Sequence, residues 1–286
     1  MAPLVARLVA APGRLLIVSD FDGTLAEGSR DPAAAVIVPL ARRALRSLAG
    51  EAARRPDRLS VAILTGRAAL DVASRVRVGG IEYFGDHGLQ SGSFPRGARF
   101  TSVEVVHEPG HEGSAAAAER FATAVPARLG RPPWLFVERK GPSVAFHVRQ
   151  ADDRAAARTA VEDAIAALDR ELPPHDLAHY RGRLVVDLRP TNAGGKREAV
   201  LGLLARTRPA AVLLLGDDLS DADAFAVLLE AREAGSTDGL AVAVSGPHGL
   251  PPEVADAADT VLATPFEAAR LLAAVARAIQ AESPGA

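Results

Sequence analysis

The sequence predicts an α/β fold: a doubly wound parallel sheet interrupted by an inserted α+β domain. Three observations carry this reading. Apolar runs ended by turn signals alternate with helix-period stretches: Leu15–Ser19, Leu40–Ala53, Leu59–Leu64, Ala68–Val76 and Ile81–Phe84. That order is what parallel βαβ units leave in a sequence. The pattern breaks from about Ser91 to Leu188, where strands look half-buried, and it returns after Gly195. The predicted core is therefore discontinuous, residues 1–90 and 189–286, with residues 91–188 inserted.

Within the insert, Trp134–Lys140 and Ser143–Arg149 flank Gly141-Pro142 and predict a hairpin. Ala-rich stretches at Ser114–Leu129 and Asp152–Leu172 predict helices on either side, and Arg183–Leu188 predicts another strand. Beyond it, Gly195–Thr207, Asp221–Ala234 and Phe266–Gln280 read as helices. Ala211–Leu215, Leu240–Val244 and Thr260–Ala263 read as strands. The entry to the first helix is flanked by Pro32 and Pro39, and disorder is expected only over Glu282–Ala286. No repeat of solenoid period is present.

The 286 residues are 48% hydrophobic with a net charge of −2 and no cysteine. Disulfides and thiolate metal sites are excluded, and nothing electrostatic favours nucleic acid or an anionic membrane as partner. No apolar run of membrane-spanning length occurs. Met1–Ala11 is mildly apolar but contains an arginine and runs into the first strand, so it is not expected to be a cleaved leader. A cytoplasmic monomer fits these features.

The chemistry concentrates at the ends of the predicted strands, where open α/β sheets bind ligands. Ser19-Asp20-Phe21-Asp22-Gly23-Thr24-Leu25 puts two carboxylates just past the first strand, with Gly23 allowing a sharp turn. Phosphoryl transfer needs a nucleophile, a proton donor and positive charge. Asp20 can serve as nucleophile and Asp22 as acid and then base. Read blandly, Asp22-Gly23 is only a turn. Thr65, before Gly66 and Arg67, offers a hydroxyl to a phosphate oxygen, although a threonine before a helix is more often an N-cap, and it can do both. Only two lysines stand among 33 basic residues, Lys140 and Lys196. Lys196 opens a predicted helix, where an ammonium and free N–H groups favour phosphate. The Walker pattern fails because Arg197 follows it.

Gly216-Asp217-Asp218-Leu219-Ser220-Asp221 ends another strand. Three acids in five residues invite a cation, and hard oxygen ligands beside a phosphate suit Mg²⁺. Asp20 and Asp217, with the main-chain carbonyl of Asp22, are the expected ligands. Asp218 and Asp221 are expected as supporting or alternate ligands, with helix capping by Ser220 and Asp221 as the alternative.

Taken together, the DxDGT string at Asp20, Thr65-Gly66-Arg67, Lys196 and the acidic loop at Asp217 resemble the four motifs of the haloacid dehalogenase superfamily. That resemblance implies an aspartyl-phosphate mechanism, Mg²⁺ and, from the position of the insert, a cap that selects substrate. Glu138-Arg139-Lys140-Gly141-Pro142-Ser143-Val144 running to His147 and Arg149 resembles the cap segment of trehalose-6-phosphate phosphatases. Gly85-Asp86-His87-Gly88, Asp187-Leu188-Arg189-Pro190 and Gly216–Phe225 are similar to further strings of that family. The resemblance implies hydrolysis of trehalose 6-phosphate to trehalose and phosphate, with Gly66, Arg67, His87, Glu138, Lys140, Arg149 and Asp187 near the substrate. His87 is equally suited to a hinge. Asp86, Asp187, Arg197, Ser220 and Ala222 depart from the family strings, which leaves open another sugar phosphate or a pseudo-disaccharide phosphate. A sucrose-phosphate-type phosphatase, a phosphomutase and a non-catalytic sugar-phosphate-binding regulator are the competing readings. Of the remaining histidines, His175 and His179 lack the glutamate of a zinc helix, and His107, His111 and His248 read as loop residues.

Overall fold

A computed structural model describes residues 2–27, 31, 34–182, 184–246 and 249–282. Pro32, Arg183, His248 and residues 283–286, on which some of the expectations above fall, lie outside them. The chain forms two compact units: residues 1–29, 35–106 and 194–286, and residues 30–34 with 107–193. Residues 91–106 thus pack with the first unit, whereas the sequence expectation began the insert at 91.

The first unit comprises α1 (Ala2–Ala10), β1 (Leu15–Ser19), α2 (Pro39–Arg54), β2 (Leu59–Leu64), α3 (Ala69–Val76), β3 (Glu82–Gly85), β4 (Gln90–Ser93) and β5 (Glu104–His107). After the insert, which carries α4, α5 and β6 to β9, it continues with α6 (Lys196–Thr207), β10 (Ala211–Gly216), α7 (Leu219–Glu233), β11 (Asp238–Val244), α8 (Pro252–Ala257), β12 (Thr260–Leu262) and α9 (Pro265–Ala281). Its sheet runs β12-β11-β10-β1-β2-β3-β4-β5, parallel from β12 to β3 and antiparallel between β3 and β4.

β1 lies between β10 and β2, and all five of its residues are buried. A strand covered on both faces needs apolar side chains at every position, which explains its unbroken run. Leu15 and Ile17 join one core with residues of α1, α2, α3 and α9; Leu16 and Val18 join the other with residues of α6, α7 and α8. Each such side chain contributes roughly 1.5–3 kcal/mol when fully buried. From β1 the chain builds outward through β2 and β3, then from β10 outward the other way. The reversal puts the β1 and β10 ends at a topological switch point.

α1 was not anticipated as a structural element. Val5 and Leu8 are buried in the first core, and Arg7 Nη2 donates to Asp238 Oδ1 at 2.7 Å. At the other end, Glu282 accepts from Arg58 Nη2 at 2.8 Å.

The second unit holds α4 (Glu112–Arg128), β6 (Phe136–Arg139), β7 (Val144–His147), α5 (Arg154–Glu171), β8 (Leu177–Gly182) and β9 (Val185–Pro190). Its antiparallel sheet has the order β6-β7-β9-β8. Val144, Phe146, Val186 and Leu188 form a core with Phe121, Val125, Val161 and Ile165 of the two helices. The alternate residues of the same strands form the other face. Cross-strand register aligns Glu138, Ala145, Asp187 and Tyr180 in one row, and Phe136, His147 and Val185 in the next. No helix among the described residues is long and apolar enough to cross a membrane.

Candidate active site

The ends of β1 and β10, with the start of α6, gather one buried cluster of charge. Asp20 follows β1, and its N–H donates to Leu215 O at 2.9 Å, which extends the β1–β10 pairing by one residue. Lys196 is the first residue of α6, and its ammonium donates to Asp20 Oδ1 at 2.8 Å and to Asp221 Oδ1 at 2.7 Å. All three side chains are at most 7% exposed. Ligand oxygens of Asp20, Asp217 and Asp221 lie within 4.8 Å of one another.

The two loop acids expected to act alike are separated. Asp218 is the N-cap of α7 and accepts from Leu219 N at 2.8 Å. Asp221 sits three residues on, buried, and accepts from Asp217 N and Asp218 N at 3.2 Å besides Lys196. It therefore caps the helix and belongs to the acid cluster at once, while Ser220 is not the cap.

Charge in the cluster is unbalanced. Burial pushes the Asp20 carboxyl up to about 7, with Lys196 pulling it down and Asp221 and Asp22 adding to the rise. Burial, then Asp20 and Asp221, holds Asp217 well above the ordinary carboxylate range, and burial raises Asp221 against the pull of Lys196. Burial lowers Lys196, but Asp20 and Asp221 outweigh it and the ammonium stays charged. One ammonium serving several carboxylates is itself satisfied and leaves them short of positive charge. A divalent cation would supply what is missing. The space fits as well: Gly23, at φ +78°, is the one residue type that tolerates this turn, and a Cβ there would fall 2.0 Å from Asp217 Oδ2. Thr24 Oγ1 donates to Asp217 Oδ1 at 3.2 Å and steadies that carboxylate.

Thr65 stands just past β2 and is buried; its Oγ1 accepts from Arg67 N at 3.3 Å. It is not a helix cap, since α3 starts at Ala69 with Ala68 in the cap position. The Thr65–Arg67 loop is tied to the loop after β3 by Asp86 N to Arg67 O at 2.7 Å and His87 N to Thr65 O at 2.9 Å. Asp86 and His87 both have positive φ, 50° and 59°. A Cβ on Gly66 would fall 2.8 Å from His87 Nε2, so Gly66 leaves room for the imidazole. Arg67, expected near the substrate, grips Asp22: Nε lies 2.5 Å from Oδ2 and Nη2 lies 2.8 Å from Oδ1.

The site is thus a buried acid cluster that could hold a cation, with one lysine among its carboxylates, and the sequence comparisons give its family. The profile of the trehalose-phosphatase family matches residues 18–248. The chain belongs to that family. A trehalose-phosphate phosphatase of Mycobacterium tuberculosis is 34% identical over 242 residues, covering 81% of this chain and 51% of that protein. The namesake from Mycobacterium marinum is 36% identical over 223 residues, covering 74% and 51%. The chain thus spans about half the length of these curated relatives. The C-terminal domain of the Candida albicans trehalose-6-phosphate phosphatase superposes with a TM-score of 0.72 at 22% identity, covering 96% of both chains. That likeness establishes the haloacid dehalogenase-like fold.

In the second unit, Glu138, His147 and Asp187 lie on the sheet face opposite the helices. Glu138 Oε2 lies 3.0 Å from His147 Nε2, and Lys140 Nζ donates to Asp187 Oδ1 at 3.0 Å, both of the latter nearly buried. Arg189 stacks over the Tyr180 ring at 3.8 Å. Arg149 lies in the turn after β7 and is half-buried. Sequence reading missed Asp71, which holds Arg67 from the far side at 2.9 Å. The signal was the Arg67, Asp71, Arg75 spacing of four, which lets Arg67, just before α3, and Arg75, in its last turn, reach the same acid.

Proposed function

We propose that the protein is a Mg²⁺-dependent phosphatase that hydrolyses trehalose 6-phosphate through an aspartyl-phosphate. The reading rests on one observation above all: Lys196 bridges Asp20 and Asp221 within an acid cluster that also holds Asp217. Family membership supplies the substrate class.

Asp20, Asp217 and the main-chain carbonyl of Asp22 would hold the cation, with Asp221 as alternate ligand. When bound, Mg²⁺ supplies positive charge to the phosphoryl oxygens. Asp20 Oδ attacks phosphorus, and the bond to the sugar oxygen breaks. Asp22 gives its proton to that oxygen, releasing trehalose. Water then attacks the aspartyl-phosphate, losing a proton to Asp22, and phosphate leaves with the Asp20 carboxylate restored. Lys196 and the Thr65 hydroxyl bind the remaining oxygens. Lys196 also keeps Asp20 ionised for attack. His87 and Gly66 shape the wall beside Thr65. Glu138, Lys140, Arg149 and Asp187 are the proposed sugar contacts, with carboxylates accepting hydroxyls and cations donating.

Phosphate release from a panel of sugar phosphates, with Mg²⁺ and with EDTA, tests the reading. Trehalose 6-phosphate should be the preferred substrate, with turnover lost in EDTA and recovered with Mg²⁺. Preference for a different disaccharide phosphate would replace the substrate and keep the chemistry. Asp20→Asn should abolish turnover while circular dichroism stays native; an active Asp20→Asn would remove it as nucleophile.

A further inference from the structure

Asp22 is the end of a chain of alternating charges that runs away from the acid cluster. Arg67 grips both of its oxygens, as given above, and uses its remaining nitrogen on the other side: Nη1 donates to Asp71 Oδ2 at 2.9 Å. The same oxygen accepts from Arg75 Nε at 2.8 Å, and Arg75 Nη1 donates to Ala35 O at 3.0 Å. The Arg67 side chain is only 9% exposed and lies over the Phe21 ring at 5.6 Å. A planar guanidinium held by carboxylates on two edges and by a ring on its face has one orientation. A carboxylate taken by a bidentate fork shares it.

We propose that Asp71, in the first turn of α3, is a positioning residue for proton transfer: it anchors Arg67, and Arg67 fixes where the Asp22 carboxyl points. The proposal rests on the reading of Asp22 as the acid and base of phosphoryl transfer. Removal of Asp71 leaves Arg67 on Asp22 but takes away the carboxylate that anchors Nη1. Fork and carboxylate then turn together. Displacements of about 1 Å cost up to about 100-fold in well-aligned reactions. A bland role exists for the same residue, since an acid in the first turn of a helix stabilises it electrostatically. The two roles differ in what they do to chemistry.

The leaving group separates them. When Asp20 attacks an alkyl phosphate, the departing alkoxide must take the Asp22 proton as the phosphorus–oxygen bond breaks. A nitrophenolate departs without it. Asp71→Asn should therefore slow enzyme phosphorylation by trehalose 6-phosphate about tenfold, a fraction of what a full general acid contributes. The single-turnover burst of nitrophenol from p-nitrophenyl phosphate should stay within about twofold, as should KM for both substrates. Asp71→Glu should recover most of the alkyl rate, and Asp71→Ser should repeat the Asn pattern if the Asn variant folds poorly. Equal slowing with both substrates, or a fall in Tm with both rates unchanged, overturns the proposal and leaves Asp71 as a helix-terminal charge. If the wild type acts on alkyl phosphates other than trehalose 6-phosphate, the same ratio is read with the best of them. A wild type inactive on every phosphate ester refutes the phosphatase reading instead, and the positioning role with it.

Discussion

At the residue scale, Lys196 decides the character of the site. Its ammonium donates to both Asp20 and Asp221, and all three side chains are buried. Removing one partner from a buried ionic group leaves uncompensated charge and costs about 3–5 kcal/mol. Lys196→Met should show that loss by urea unfolding in EDTA at pH 8, together with loss of turnover. The sign with pH follows from the carboxyls. Asp20 and Asp221 have folded pKa values above the ordinary 3.8, so the folded state binds their protons more tightly. Such groups favour folding at low pH and oppose it as pH rises from 3.8 through the folded values. Without Lys196 this opposition grows, so the deficit of Lys196→Met should shrink at pH 5 relative to pH 8. An equal deficit at both values would mean that the carboxyls do not depend on the ammonium.

At the scale of elements, the α2–α9 junction carries a buried carboxylate. Glu51, 1% exposed, accepts from Arg54 and from Arg55 Nη2 at 3.1 Å, and Arg55 Nη2 also donates to Ile279 O of α9 at 2.5 Å. Burial raises the Glu51 carboxyl, but Arg54 and Arg55 outweigh it and hold it below the ordinary 4.5. A lowered folded pKa stabilises above 4.5 and loses that contribution as pH falls through the folded value. Glu51→Gln should cost about 1–3 kcal/mol at pH 7, the range for a hydrogen bond to a charged group. The difference from wild type should narrow below pH 4.5. Chemical denaturation across that range measures it, and a pH-independent difference would assign the loss to packing alone.

The elements that were legible share one physical property. β1, β2 and β10 are covered on both faces, so they announce themselves as apolar runs, and the motifs at their ends could be placed before any coordinates. β4 has the sequence Gln-Ser-Gly-Ser and carries no apolar signal; its place in the sheet comes from its partner β3. β8 mixes Leu177 and His179 on one face with Tyr180 on the other and gains its register from β9. α1 buries only Val5 and Leu8, too few to stand out from a mildly apolar leader. At the site, spacing pointed to the acids that gather but not to how they divide. That Asp221 joins the cluster while Asp218 turns to the α7 cap depends on the direction of a helix start. That Arg67 faces Asp22 depends on two loops meeting.

For the whole molecule, the proposed phosphoryl chemistry and the proposed sugar choice belong to different folding units. The acid cluster, Lys196 and the Asp22–Arg67–Asp71 chain lie in the first; the polar face with Glu138, Lys140 and Asp187 lies in the second. Variants in each unit should therefore fail differently. Glu138 lies against His147 and holds one side of that face. Glu138→Ala should raise KM for trehalose 6-phosphate about tenfold or more, the order expected when one buried polar contact to a hydroxyl is lost. Turnover of p-nitrophenyl phosphate, which has no sugar to recognise, should stay within about twofold of wild type. Glu138→Gln should fall between, because an amide still accepts one hydrogen bond from a hydroxyl. Lysine variants divide in the same way: Lys196→Met removes turnover of both substrates, whereas Lys140→Met spares the aryl ester. If Glu138→Ala and Lys140→Met depress both substrates equally, the second unit does not select the sugar, and selection must be sought among the side chains around Thr65 and His87.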